Sequence, residues 1–252
     1  MKRKTAHFPD RHSGLTLVEL LVVLTIITAV ATIIIPILPD TNQLSNGSTG
    51  SGNMREVIKA VETHRSATGS YPNSWDSLID ADGDILPTGG TADLEVLDIS
   101  SPTANSDEEA IANALANADI TEAFQHNDFT DTGVNQTFAG VNNAVDELGA
   151  GNVAVLTTAG ELGLGLNASG GDIVRYVAFG LGNNSTMIGR TMADAPVKFL
   201  GGGDNPRSQY ARWIVVFSVF SDESLRLATV AGLDDDQLRG INFHIDGFYD
   251  AF

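Results

Sequence analysis

The feature that most constrains this chain is the run from Leu15 to Leu38. It is apolar apart from threonines, one carboxylate at Glu19 and one proline at Pro36. As a helix it reaches ~36 Å at ~1.5 Å per residue, enough to cross the ~30 Å hydrocarbon core of a bilayer. The residues before it are short and basic: Lys2, Arg3, Lys4 and Arg11 stand against Asp10 alone. Basic residues ahead of an apolar run hold that end in the cytoplasm. The rest of the chain would then lie on the far side of the membrane. Glu19 is the exception to explain, because a carboxylate in a membrane helix costs roughly 2.5–3.5 kcal/mol on insertion scales.

The charge of the remainder narrows its function. The whole chain carries a net charge of −18 with a basic start, so the body is strongly acidic. Nucleic-acid binding needs positive surface and is excluded as an expectation. There are no cysteines. Disulfides, thiolate metal sites and a cysteine nucleophile are therefore ruled out.

Three readings of the N-terminus are open from these residues. A cleaved signal peptide could use Ala29-Val30-Ala31 as its A-x-A site. It would leave Thr32–Leu38 as an apolar new terminus. A plain signal anchor accounts for the apolar length and the basic flank but gives Glu19 no role. The third reading starts from Gly14, then Leu15-Thr16-Leu17-Val18-Glu19, then the apolar helix. This pattern resembles the class III signal of type IV pilins and type II secretion pseudopilins. The resemblance implies cleavage by prepilin peptidase after Gly14 and N-methylation of Leu15. It makes Glu19 the fifth mature residue, which guides assembly, and Pro36 the site of a helix kink. A carboxylate one turn from a freed α-amino group also gives a physical reason for Glu19. A buried charge demands a partner, and the terminus of a neighbouring subunit supplies one. The hydroxyls of Thr16, Thr25, Thr28 and Thr32 are expected to bond backbone carbonyls within the helix.

Beyond the apolar run, Pro39–Asn53 is polar and rich in Gly and Ser, and reads as a flexible linker. Met54–Ala67 reads as a helix with Val57, Ile58, Val61 and His64 on its core stripe, stopped by Gly69. His64 is read as a boundary residue rather than a ligand. Gly69-Ser70-Tyr71-Pro72, followed by Trp75–Ile79, resembles the start of a pseudopilin head, with Tyr71 and Trp75 as packing residues. Ser106 through Glu109 is a capping box opening a helix to about Phe124. Val141–Leu148 reads as a second short helix. Strands are expected over Asn152–Thr157, Ile173–Phe179, Trp213–Phe220, Leu225–Ala231 and Ile241–Ile245.

Chemistry-bearing patterns are sparse. Asp80, Asp82 and Asp84 alternate and are weak candidates for calcium, but the spacing fails that of an EF-hand. Asp234–Asp236 reads as an acidic helix start. Gly163-Leu-Gly165 and Gly180-Leu-Gly182 lack the final glycine of a nucleotide loop and read as turns. His244 and Asp246 fit strand alternation as well as an acid–base pair. No catalytic constellation stands out, and neither an enzyme activity nor a firm cofactor is expected.

The expectation is therefore an α+β protein. A leader (1–14), a transmembrane and assembly helix (15–38) and a linker (39–53) precede a pilin-like globular head (54–252) with an antiparallel sheet. The resemblance implies a structural subunit, minor or lineage-specific, of a type IV pilus or type II secretion pseudopilus in the bacterial inner membrane. Its N-terminus would be cytoplasmic and its head periplasmic or extracellular. The partners implied are prepilin peptidase, other pilin or pseudopilin subunits and the inner-membrane assembly machinery. The alternative is a signal-anchored extracytoplasmic binding module with no filament role.

Overall fold

A computed structural model describes residues 17–34, 38–79, 83, 85, 93–126, 141–147, 151–157, 162–164, 173–198, 210–234 and 237–243. The chain divides into two compact units, Met1–Asn42 and Gln43–Phe252. The first contains helix α1 (Leu17–Ile34). Helix α2 runs over Leu38–Thr68, so the stretch expected to be a linker is helical instead. Composition misled here. Gly and Ser are poor helix formers, but extension of an existing helix costs far less than nucleation. The packed turns at Met54, Val57, Ala60 and Val61 supply the nucleus. Pro39 falls in the first turn of α2, where its missing N–H breaks no helical bond. Gly69 ends the helix at φ +87°, with its N–H on the Arg65 carbonyl at 2.8 Å. That left-handed position favours glycine.

The second unit is α+β. After α2 come β1 (Trp75–Asp76), β2 (Leu94–Asp98), α3 (Asp107–Asn117), β3 (Glu122–His126), β4 (Val141–Glu147) and β5 (Asn152–Leu156). The last four strands are β6 (Ile173–Gly180), β7 (Trp213–Phe220), β8 (Leu225–Asp234) and β9 (Gln237–Arg239). The strands form one sheet in the order β4-β3-β1-β6-β7-β8-β9, with β2-β5 joining at β6. Every pairing is antiparallel except the parallel one between β1 and β3.

Several boundaries depart from the sequence reading. Helix α3 ends at Asn117, not near Phe124. Asp119 takes φ +62°, and the N–H of Ile120 returns to the Leu115 carbonyl at 3.0 Å. The buried Ile120 seals this helix end. Phe124 then lies in β3, and Val141–Glu147 is a strand, not a helix. Asp234 closes β8 rather than opening a helix, while Asp235 and Asp236 lie outside the described residues. Residues 241–243 form a helical turn where a strand was expected.

The sheet is buried on both faces. Strand alternation sends Val153, Val155, Val177, Phe179, Trp213, Val215, Phe217 and Val230 to one side. There they pack with Met54, Val57 and Val61 of α2 and Ile111 and Leu115 of α3. The alternate residues Leu94, Ala154, Leu156, Tyr176, Ala178, Ile214, Val216, Ala231, Leu233 and Leu238 form a second core. That core exists because the six strands β2-β5-β6-β7-β8-β9 curl. The Asp93 carboxylate closes the curl by accepting the Leu238 N–H at 3.0 Å, joining the two ends of the strand series. Strand β7 lies in the middle and contributes to both cores, which is why it reads as a continuous apolar run.

Candidate functional site

The structure places the sequence-derived site residues unequally. Gly14, Leu15 and Pro36 lie outside the described residues, Pro36 in the interval between α1 and α2. Glu19 sits in the first turn of α1, where the helix dipole favours a carboxylate. The side chains of 17–28 are exposed. Leu17 is 81% and Val18 69% accessible, and Leu20, Leu21, Leu24, Ile26 and Ile27 are each more than half exposed. The hydroxyls of Thr25 and Thr28 are satisfied within this helix. Thr25 Oγ1 donates to the Leu21 and Val22 carbonyls at 3.1 and 2.8 Å. Thr28 Oγ1 donates to the Leu24 and Thr25 carbonyls at 3.0 Å each. The expectation for these two hydroxyls is met, while the side chains of Thr16 and Thr32 lie outside the described set. The stretch 17–28 spans roughly 18 Å at 1.5 Å per residue. Among the described residues, no helix is long and apolar enough to cross a membrane.

The Gly69–Pro72 segment joins the end of α2 to the sheet through Tyr71. The Tyr71 hydroxyl accepts from Arg65 Nη1 at 2.7 Å and from the Leu227 N–H at 3.1 Å. Leu227 lies at the irregularity where the β7–β8 register shifts between Val216 and Phe217. The Tyr71 ring meets Phe217 edge-on at 5.1 Å, and the Arg65 guanidinium lies 4.6 Å from its centroid. Burial raises the Tyr71 hydroxyl pKa, against the opposing Leu227 bond and Arg65 charge. Trp75 is fully buried, stacks on Phe179 and donates Nε1–H to the Pro72 carbonyl at 2.6 Å. Both aromatic residues therefore pack as the sequence indicates, and both also hold hydrogen bonds that fix the helix end. His64 is buried rather than on the boundary. Its Nδ1 lies 3.3 Å from Thr68 Oγ1 and 3.4 Å from the Ser70 carbonyl.

A second polar group, with no signature in the local residues, surrounds Asp76. This residue is fully buried in the two-residue strand β1. The Tyr210 hydroxyl donates to its Oδ2 at 2.6 Å, while no donor among the described residues reaches Oδ1. Burial lifts the Asp76 carboxyl to about 6 from an ordinary 3.8, with Tyr210 and Arg212 opposing the rise. Tyr210 is pushed well above its usual value, first by burial and then by the Asp76 charge. Arg212 Nη1 donates to Asn183 Oδ1 at 3.2 Å and to the Ala195 carbonyl at 3.3 Å. The glycines of Gly180-Leu181-Gly182 are explained by this group. A side-chain carbon at Gly180 would fall on the Tyr210 hydroxyl, and one at Gly182 on the Asp76 carboxylate. They are required by close approach, which a turn reading misses.

Metal chemistry gains no support from these positions. Asp80, Asp82 and Asp84 lie outside the described residues. Among the described residues no group of three potential ligands assembles. Asp234 is instead the ion-pair partner of the buried Lys198, at 3.0 Å.

No curated protein and no solved structure matches this chain. A family described as the prokaryotic N-terminal methylation motif matches residues 9–35, which include Gly14, Leu15 and Glu19. The chain thus carries the class III prepilin signal of type IV pilins and pseudopilins.

Proposed function

We propose that this protein is a structural, non-enzymatic subunit of a type IV pilus or type II secretion pseudopilus, minor or lineage-specific. The observation that carries the reading is the match over 9–35, which puts Glu19 five residues after Gly14. In this reading prepilin peptidase cuts after Gly14 and methylates Leu15. The apolar segment 15–38 anchors the chain in the bacterial inner membrane and later packs among other pilin subunits. The inner-membrane assembly machinery extracts it, and Glu19 pairs with the α-amino group of a neighbour. The exposed leucines and isoleucines of α1 support this reading, since apolar surface of that extent marks an interaction or membrane site. The α+β head, acidic and packed against α2, lies on the periplasmic or extracellular side.

The test is the intact mass of the membrane-extracted protein from cells with an active prepilin peptidase. The expected species begins at Leu15 and carries one added methyl group. Recovery of the chain still beginning at Met1 would overturn the proposal and favour a signal-anchored binding module.

A further inference from the structure

Strand β1 holds a key position for so short an element. It pairs with β3 on one side, through Trp75 with Ala123 and Asp76 with Phe124. On the other side it pairs with β6 through Asp76 and Gly180. The β3–β4 ribbon therefore reaches the main sheet through these two residues. The backbone on both sides of β1 is strained. Ser74 has φ +61° and Leu78 φ +63°, the latter a bulky residue in the left-handed region. Between them Asp76 buries a carboxyl group with one oxygen bonded to Tyr210 and the other without a donor among the described residues. The backbone at Gly182 presses on that carboxyl closely enough to exclude a side chain.

We propose that Asp76 is a proton-operated clasp that joins the β3–β4 ribbon to the main sheet, closed when the carboxyl is neutral and loosened when it ionises. The groups facing it are few. Tyr210 and Arg212 approach from the residues just before β7. The Gly180–Gly182 segment at the end of β6 brings no titratable side chain, and the β3 partner is Phe124. Glu122 of β3 is engaged elsewhere, accepting from Ser74 Oγ at 2.6 Å. A neutral acid fits this dry site with Tyr210 on one oxygen. An ionised carboxylate leaves Oδ1 charged and unsolvated, a state that burial penalises heavily. Water can relieve it only if β1 parts from the Gly180–Gly182 segment, whose backbone at Gly182 lies against the carboxyl. The strained residues Ser74 and Leu78 gain by the same movement.

The direction with pH follows from the raised carboxyl. With a folded value near 6 and an ordinary value of 3.8, the stabilisation is complete below about 4 and lost as pH rises through 6. The test uses the full-length chain in detergent. Melting temperature and hydrogen exchange, corrected for intrinsic rates, are measured between pH 4.5 and 7.5. The melting point of Asp76→Asn is expected to exceed that of wild type by roughly 5 °C at pH 7.5 and by about a third of that near pH 4.5. In wild type, exchange at 73–79 and 122–126 should rise several-fold across the same interval while β7 and β8 stay protected. Tyr210→Phe provides a second reading should Asp76→Asn fail to fold: its transition should move to higher pH. Three results would overturn the clasp: a wild-type pH dependence identical to that of Asp76→Asn, exchange that rises equally in β7 and β8, or an unmoved Tyr210→Phe transition.

Discussion

Helices α1 and α2 make a direct contrast. Each is built from one continuous stretch of chain, yet they treat apolar side chains oppositely. In α1 the described side chains, 17–28, are apolar nearly all round and remain exposed. In α2 one stripe, Met54, Val57, Ala60 and Val61, is buried against the sheet while Arg55, Glu56 and Glu62 face outward or sit at the margin. A helix with a single apolar stripe has its partner within its own fold. A helix apolar all round needs a partner of another kind, which the proposed membrane and filament would supply. The contrast teaches that damage to α2 should be read as lost stability, and damage to α1 as lost processing or assembly.

The sharpest way to break that division is at the cleavage site. Gly14→Leu should abolish conversion to the shorter, methylated form, read by intact mass. The melting temperature of the head should not change. A Gly14→Leu protein that matures normally would remove the basis for separating the two helices by function. On the other side, Trp75→Ala removes a fully buried ring stacked on Phe179 and its bond to the Pro72 carbonyl. A loss of about 3–5 kcal/mol is expected from denaturant unfolding. Tyr71→Phe keeps the ring and deletes the acceptor shared by Arg65 and Leu227. It should cost about 1–2 kcal/mol by the same measurement, with Gly14 cleavage intact. Ser106→Ala removes the cap whose Oγ accepts from the Glu109 N–H at 3.3 Å. The expected loss is about 0.5–1 kcal/mol. Glu19→Ala completes the series with no expected change in unfolding of the head. Its effect should appear as reduced incorporation into filaments, scored on sheared fractions.

These contrasts also mark what was readable in the residues. Hydrophobic pattern alone located β5, β6, β7 and most of β8, since apolar β-branched runs bounded by Gly and Asn have few other destinations. The stop at Gly69 was legible for a local reason, the left-handed φ that glycine favours. The end of α3 was not, because Asp119 takes the same backbone region without being glycine. Strands β1, β2 and β3 escaped notice for another reason. Two to five residues carry little periodicity, and their pairing is decided by partners far along the chain. The helical state of 39–53 was missed because composition weighs each residue alone, whereas a helix is extended from turns already packed. At the candidate sites, the spacing of Gly14, Leu15 and Glu19 was readable as part of the motif that matches residues 9–35. Asp76 was not, since nothing in Ser74-Trp75-Asp76-Ser77 announces that Tyr210 and Gly182 will close over it.

The bond between the Asp93 carboxylate and the Leu238 N–H has a consequence for the order of folding. Its partners are 145 positions apart. Contacts of such separation must await the closure of everything between them, and they slow folding through the loop entropy they require. The curl cannot be sealed until the chain has emerged nearly to its end. Until then the second core, with Leu94, Leu156, Ile214 and Leu233, has an open side. If the head is delivered across a membrane as proposed, its packing against α2 and α3 can begin before the C-terminal strands arrive. The seam between Asp93 and Leu238 comes last and fixes the moment at which the open side of the second core is closed.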